Sequence, residues 1–174
     1  MNDDNYFKQH IRDVPDFPKK GIIFKDITPL LGDASAFRRA IRKMSHRFIN
    51  EKINIVACVE ARGFLIGSAI AYNLGAGLVP VRKIGKLPCE TNNACYGLEY
   101  GNDTLEIHKD AIAPGQSVLL VDDVLATGGT AKAAVDMISN MGGEIVCAAF
   151  LLELSELNGR TKTGNTRVYS LIRY

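Results

Sequence analysis

Residues 117–134 read S-V-L-L-V-D-D-V-L-A-T-G-G-T-A-K-A-A, and this stretch decides the fold. Val118, Leu119, Leu120 and Val121 form an unbroken apolar run after the turn signal Pro114-Gly115. Such a run is expected of a central parallel strand covered on both faces. Two adjacent carboxylates, Asp122 and Asp123, end it. A small-residue loop, Ala126-Thr127-Gly128-Gly129-Thr130, follows. Apolar residues then recur at Ala131, Ala134, Val135, Ile138 and Met141, which is helical spacing, and Gly142-Gly143 stops the helix.

That layout suits a phosphorylated sugar. Gly128 and Gly129 let the backbone turn sharply and approach a ligand. Free N–H groups at the helix start, reinforced by the helix dipole, favour a phosphate. The hydroxyls of Thr127 and Thr130 add donors. Asp122 and Asp123 can accept hydrogen bonds from a vicinal diol, hold a divalent metal, or both. A phosphate cradle and diol acceptors at the C-terminal end of a strand describe a ribose 5-phosphate site. No Lys-Ser/Thr pair follows the glycines and no G-x-G-x-x-G occurs in the stretch, so two better-known phosphate loops are excluded.

The run V-L-L-V-D-D-V-L-A-T-G-G-T resembles the phosphoribosyl-pyrophosphate (PRPP) signature of type I phosphoribosyltransferases. Further stretches narrow the resemblance to the adenine phosphoribosyltransferases, over essentially the whole chain. The implied fold is α/β, with a central, mostly parallel sheet flanked by helices. A hood at residues 1–32 and a flexible catalytic loop at residues 86–101 complete a single domain over 1–174. Independently, strand and helix patterns alternate along the chain, which gives the same α/β class.

Composition agrees with one soluble domain. The chain has 174 residues, 47% of them hydrophobic and 23% charged. A net charge of +2 predicts neither a nucleic-acid binder nor a membrane-surface protein. The start, M-N-D-D-N, is not a signal peptide, and no long apolar run occurs. Four cysteines lack C-x-x-C spacing, and Cys58 and Cys147 sit in apolar runs as reduced core residues. The expected location is the cytoplasm.

The pattern suggests a helix over residues 2–13, stopped by Val14-Pro15-Asp16-Phe17-Pro18. The run P-D-F-P-x-x-G-I-x-F-x-D-I-T-P is similar to the hood that covers the purine in adenine phosphoribosyltransferases. On periodicity alone Ile22, Ile23 and Phe24 read equally well as core. The resemblance makes Phe24 a stacking surface and implies base recognition by backbone groups around Ile23 and Lys25, with Val124 beside the base. Lys25 stands where the family has arginine, a change that a backbone contact survives.

Asp33 caps a helix whose buried stripe is Phe37, Ala40, Ile41, Met44 and Phe48. A strand over 53–59 then leads through Glu60-Ala61-Arg62-Gly63-Phe64 into another helix. By composition Arg62 is a solvated surface cation. E-x-R-G-F, however, is similar to the family's pyrophosphate loop, with Ala61 where serine is usual. A strand over 77–82 ends in Arg82, Lys83 and Lys86, a cluster that suits a polyanion. Residues 88–98 are polar and aperiodic, and Thr104–His108 alternates like an exposed strand. K-L-P…Y-x-L-E-Y-G…L-E-I-H-K-D is similar to the flexible catalytic loop, which closes over the reacting centre and excludes water. A strand over 144–152, a polar stretch over 153–165 and an edge strand over 168–172 finish the chain.

The resemblance implies transfer of phosphoribose from PRPP to adenine, giving AMP and pyrophosphate, with Mg2+ as cofactor. Ala126, Thr127, Gly128, Gly129 and Thr130 then hold the 5-phosphate. Asp122 and Asp123 take the ribose hydroxyls and face the sugar cation. Arg62, Arg82, Lys86 and Tyr100 meet the pyrophosphate, and Glu99 manages the purine's proton. Magnesium enters with PRPP, with Asp122 or Asp123 reaching it through water. The expected partners are adenine, PRPP and a second copy in a homodimer, with no nucleic acid and no membrane. Two alternatives stand beside this reading: a phosphoribosyltransferase for another 6-substituted purine, and a non-catalytic PRPP- or purine-binding regulator on the same fold.

Overall fold

The computed structural model describes residues 3–97 and 102–174. A short helix, α1 (Asp3–Lys8), precedes an antiparallel pair, β1 (Arg12–Pro15) and β2 (Ile23–Asp26). Helices α2 (Thr28–Gly32) and α3 (Ala34–His46) lead to β3 (Ile55–Val59) and α4 (Arg62–Leu74). Strands β4 (Gly77–Lys83), β5 (Thr91–Gly97) and β6 (Asn102–His108) follow. The chain closes with β7 (Ser117–Leu125), α5 (Gly129–Asn140), β8 (Glu144–Glu153) and β9 (Val168–Arg173).

Seven strands form one sheet in the order β5-β6-β4-β3-β7-β8-β9. From β4 to β9 every pairing is parallel. β6 runs antiparallel to β4, and β5 to β6. The sheet is therefore mixed and mostly parallel, with β9 at an edge as its position after the polar stretch implies.

The unbroken apolar run of β7 has its reason in two-sided burial. Leu119 and Val121 pack with Ala40 and Met44 of α3 and with Ile66 and Ile70 of α4. Val118 and Leu120 pack on the other face with Ala131, Ala134 and Ile138 of α5. Leu119 and Leu120, neighbours in sequence, are both fully buried, which only a strand covered on both faces allows. The Asp33 carboxylate accepts the Ala36 N–H at 2.7 Å and so starts α3 as a capping residue.

Four features differ from the sequence pattern. β7 does not end at the paired acids: its ladder with β8 continues through Asp122 and Val124 to Leu125. Backbone pairing carries on where the side chains have turned polar. Residues 88–98, aperiodic as they are, contain β5, which pairs with β6 over its full length. T-N-N-A-C-Y-G has little strand patterning of its own, so its partner supplies the order. β6 itself is buried: Leu105 and Ile107 lie in the core with residues of α5, and Glu106, 4% exposed, lies against the turn after β4. Finally, α1 stops at Lys8, because Arg12–Pro15 pairs with β2 instead of continuing the helix.

Among the described residues no helix is long and apolar enough to cross a membrane. All four cysteines are free thiols, with Cys58 and Cys147 buried. Burial pushes the Cys58 thiol up to about 12, and the nearby Asp122 charge adds to this.

Candidate active site

The carboxyl ends of β3 and β7 lie side by side, and the loops that leave them open onto one cavity of 540 Å³. Ligands of open α/β sheets bind at this edge. The β3–α4 turn supplies Glu60, Ala61 and Arg62 to the wall, and the peptide bond between Glu60 and Ala61 is cis. Gly63 follows, where a Cβ would stand 2.9 Å from Oδ1 of Asp122, so α4 can start this close to β7 only without a side chain there.

The floor is acidic. Asp122 and Asp123 both line the cavity, and Asp122 Oδ1 accepts the Asp123 N–H at 2.8 Å. Arg62 Nε lies 2.5 Å from Asp123 Oδ2, a carboxylate oxygen that is buried. The contact is an ion pair without hydrogen-bond alignment. Burial pushes the Asp122 carboxyl well above the usual carboxylate range, and the neighbouring Asp123 charge pushes it further. Burial raises Asp123 as well, but the Arg62 guanidinium opposes it. Asp123 is thus the readier of the two to carry negative charge.

Beside the acids stands the N-terminus of α5. Its cap, Gly128, has φ 81° and ψ 2°, a left-handed conformation that favours glycine. The first N–H groups of a helix have no intrahelical partner. Here the N–H groups of Thr127, Gly128, Gly129 and Thr130 donate to no other backbone group among the described residues. The loop is also buttressed from behind. A Cβ on Gly128 would run into the carbonyl oxygen of Gly159, and one on Gly159 into that of Ala126. The turn at Gly159–Thr163 therefore meets the loop backbone to backbone.

The opposite wall is the hood. Ile22, Ile23, Phe24 and Lys25 line the cavity. The Phe24 ring is fixed edge-on by Phe17, with centroids 5.2 Å apart, and the Arg62 guanidinium lies 5.0 Å from its centroid. The Lys25 ammonium is engaged by Asp13 at 2.8 Å and lies 4.1 Å from the centre of the Tyr174 ring.

Of the residues expected from sequence, Ile23, Phe24, Lys25, Arg62, Asp122, Asp123, Val124, Ala126 and Thr130 line this one cavity. Thr127, Gly128 and Gly129 belong to the same loop but not to the lining. Neither do Arg82 and Lys86; of that sequence cluster it is Lys83 that lines the wall. Glu99 and Tyr100 lie outside the described residues. Leu105 of β6 and Leu154, just past β8, also line the cavity, and nothing in their local sequence sets them apart from other leucines of the chain. Among the described residues no group of three or more His, Cys, Asp or Glu side chains could hold a metal.

A phosphate-suited helix start, paired acids and an apolar hood around one sheet-edge cavity define a phosphoribosyl transferase. The family model for the phosphoribosyl transferase domain matches residues 30–172. The adenine phosphoribosyltransferase of Geotalea daltonii is 60% identical over 167 residues, covering 96% of this chain and 98% of its own. That of Trichlorobacter lovleyi is 61% identical with the same coverage. The crystal structure of the Thermoanaerobacter pseudethanolicus adenine phosphoribosyltransferase superposes with a TM-score of 0.95 at 51% identity, covering 98% of this chain and 99% of that one. The Saccharomyces cerevisiae enzyme, crystallised with an imino-altritol bisphosphate and adenine, gives 0.91 at 39% identity, with 97% and 98% covered. The chain belongs to the adenine phosphoribosyltransferase family.

Proposed function

We propose that the chain transfers the 5-phosphoribosyl group of PRPP to adenine, giving AMP and pyrophosphate in purine salvage. The observation that carries this reading is the meeting, in one cavity, of the α5 N-terminus, the Asp122-Asp123 floor and the Phe24 hood. In this reading the 5-phosphate sits on the N–H groups around Gly128, where the helix dipole supports it. Asp122 and Asp123 accept the ribose hydroxyls and offer charge to the oxocarbenium-like sugar. Such fixed electrostatic stabilisation is worth several kcal/mol. Adenine stacks on Phe24, and backbone groups of Ile23 and Lys25, with Val124 near, read its edge.

Arg62 is the natural cation for the departing pyrophosphate, since it stands at the floor within reach of both acids and hood. Lys86 and Tyr100 complete that role from the loop and Arg82 from the end of β4, and Glu99 manages the proton of the attacking purine. The oxygen donors of Asp122 and Asp123 suit magnesium, whose hydrated ion keeps water ligands and is held mainly through substrate phosphates. Bound with PRPP, such an ion would supply charge neutralisation at the leaving group.

The reading includes a homodimer. Leu65 and Tyr72 lie on one exposed face of α4, Tyr72 being 88% exposed, and Leu78 of β4 is exposed as well. An apolar face of this kind fits a second copy. Free cysteines agree with a cytoplasmic setting. The test is an assay of PRPP with adenine, hypoxanthine and guanine in turn, following pyrophosphate release. Turnover restricted to adenine is expected, and equal turnover with hypoxanthine would remove the base assignment.

A further inference from the structure

The turn after β4 is held through its backbone by charged side chains of the sheet. Glu106 of β6 accepts the Lys86 N–H at 2.7 Å and the Leu87 N–H at 2.8 Å, both on Oε1. Its other oxygen lies 3.4 Å from the Thr91 hydroxyl. Arg82 of β4, opposite Glu106 in the antiparallel register, works on the other side of the same peptide. Its Nη1 donates to the Lys86 carbonyl at 3.0 Å, and its Nε to Glu60 at 2.7 Å. Glu60 belongs to the cavity wall, next to the turn that carries Arg62. A continuous set of contacts thus runs from the cavity through Glu60 and Arg82 to the backbone of Lys86, and Glu106 clasps that backbone from the far side.

This arrangement is costly for a plain surface turn. The N–H groups of an exposed turn are served by water at no expense. A carboxylate that is only 4% exposed loses hydration, and that loss is offset only by hydrogen bonds. Burial pushes the Glu106 carboxyl up, yet the N–H groups of Leu87, Lys86 and Gly85 outweigh it and hold the group below its ordinary range. What the clasp fixes is the backbone origin of an exposed, flexible lysine. Fixing that origin in advance lowers the ordering cost when an anion binds.

We propose that Glu106 is a positioning residue for the leaving group: it sets the backbone of Lys86 so that the ammonium meets pyrophosphate. The proposal rests on the reading of Lys86 given above. Glu106 does not line the cavity, so it acts through Lys86 and not on the ligand. A merely structural Glu106 would weaken every ligand alike, or only lower the melting temperature.

The test measures affinity for two probes by calorimetry in magnesium buffer: inorganic pyrophosphate and ribose 5-phosphate. Glu106→Ala is expected to weaken pyrophosphate about tenfold, the scale of losing charge-assisted hydrogen bonds. Ribose 5-phosphate affinity should stay within about twofold, since its cradle is separate. Glu106→Gln keeps an accepting oxygen and should restore part of the pyrophosphate loss. Lys86→Ala should weaken pyrophosphate too, and adding Glu106→Ala to it should cost nothing more. Unchanged pyrophosphate affinity in Glu106→Ala, equal loss for both probes, or additive losses in the double variant would each overturn the proposal. If Lys86→Ala alone leaves pyrophosphate binding intact, the reading of Lys86 is what fails, and the positioning role falls with it. Should Glu106→Ala not fold, Glu106→Gln decides the same comparison: loss confined to pyrophosphate supports the proposal, and any other pattern overturns it.

Discussion

Arg62 and Asp123 touch across the cavity floor, with Nε 2.5 Å from Oδ2, so the cation of the β3–α4 turn offsets burial of an acid at the end of β7. The pairing joins two strand ends that the sequence presents far apart, and it decides which acid is charged.

Removing the cation should therefore do two things. Arg62→Gln leaves Asp123 buried without its counter-charge, and PRPP kcat/KM should fall by roughly a hundredfold. Arg62 opposes the upward push of burial on Asp123, so its loss raises that carboxyl further. The acid limb of the kcat/KM profile should then move to higher pH, because an ionised floor is needed and is harder to reach. A variant whose acid limb stays in place would contradict the pairing as the cause.

The Asp122 carboxyl, raised by burial and by its neighbour, makes a prediction of opposite sign for stability. A carboxyl whose folded pKa is raised binds more protons folded than unfolded. Stability is then lost as pH rises from the ordinary carboxylate range through the raised folded value. Asp122→Asn removes that penalty while ending turnover. Its melting temperature should exceed the wild type at pH 7, where each kcal/mol is worth about 2–4 °C at this chain length. The gain should vanish near pH 3, where Asp122 is protonated in both states. Equal melting temperatures at pH 7 would mean that the acid is not strained by its setting.

Gly128 and Gly159 should both be intolerant of alanine, for a shared reason. Gly128 has φ 81°, and a Cβ there meets the Gly159 carbonyl; a Cβ on Gly159 meets the Ala126 carbonyl. Gly159→Ala, far along the chain from the phosphate loop, should therefore weaken ribose 5-phosphate by about tenfold or more through the loop backbone. Gly75 serves as the control: it has φ 65° but nothing within 4 Å of a Cβ. Gly75→Ala should lose only about 1 kcal/mol of stability, from backbone strain, with ribose 5-phosphate affinity unchanged. Calorimetry with ribose 5-phosphate on the three variants checks this.

The same residues show what the sequence makes legible. A buried parallel strand announces itself at Val118–Val121, and a glycine pair before a helical repeat announces a phosphate loop, because each depends on local chemistry. Gly159 carries no such mark. Its need for a bare Cα arises only when the polar stretch folds back on Ala126. β5 is hidden for a related reason, since its order comes from pairing with β6 and not from its own pattern. Arg82 reads as one cation of a cluster that suits a polyanion, and the structure adds its contacts with Glu60 and the Lys86 carbonyl. Charge is visible in a sequence; the groups it meets in the fold are not.

The contact between Gly67 and Cys58 links packing directly to the site. Gly67 lies in α4 one turn after Gly63, and a Cβ there would run into the Cys58 sulfur of β3. Gly67→Ala gains roughly 1 kcal/mol in helix propensity, but overpacking of this kind costs about 1–3 kcal/mol. The variant should be destabilised, and because α4 begins at Arg62, lifting the helix also moves that guanidinium. Displacements of about 1 Å at a positioning residue can cost a hundredfold in rate. Cys58→Ala alone opens a small void and should cost about 1 kcal/mol. The double variant puts a methyl where the sulfur was and keeps the helix gain; the residue-58 Cβ, 3.1 Å away, then needs to give only by a few tenths of an ångström. Its melting temperature and its kcat/KM should both return close to wild type, a favourable coupling of about 1–3 kcal/mol. Thermal unfolding and PRPP kinetics on the four proteins of the cycle measure it. Stability restored without activity would separate the helix position from the chemistry. Neither restored would mean that the Cys58 sulfur is not what sets how closely α4 approaches the sheet.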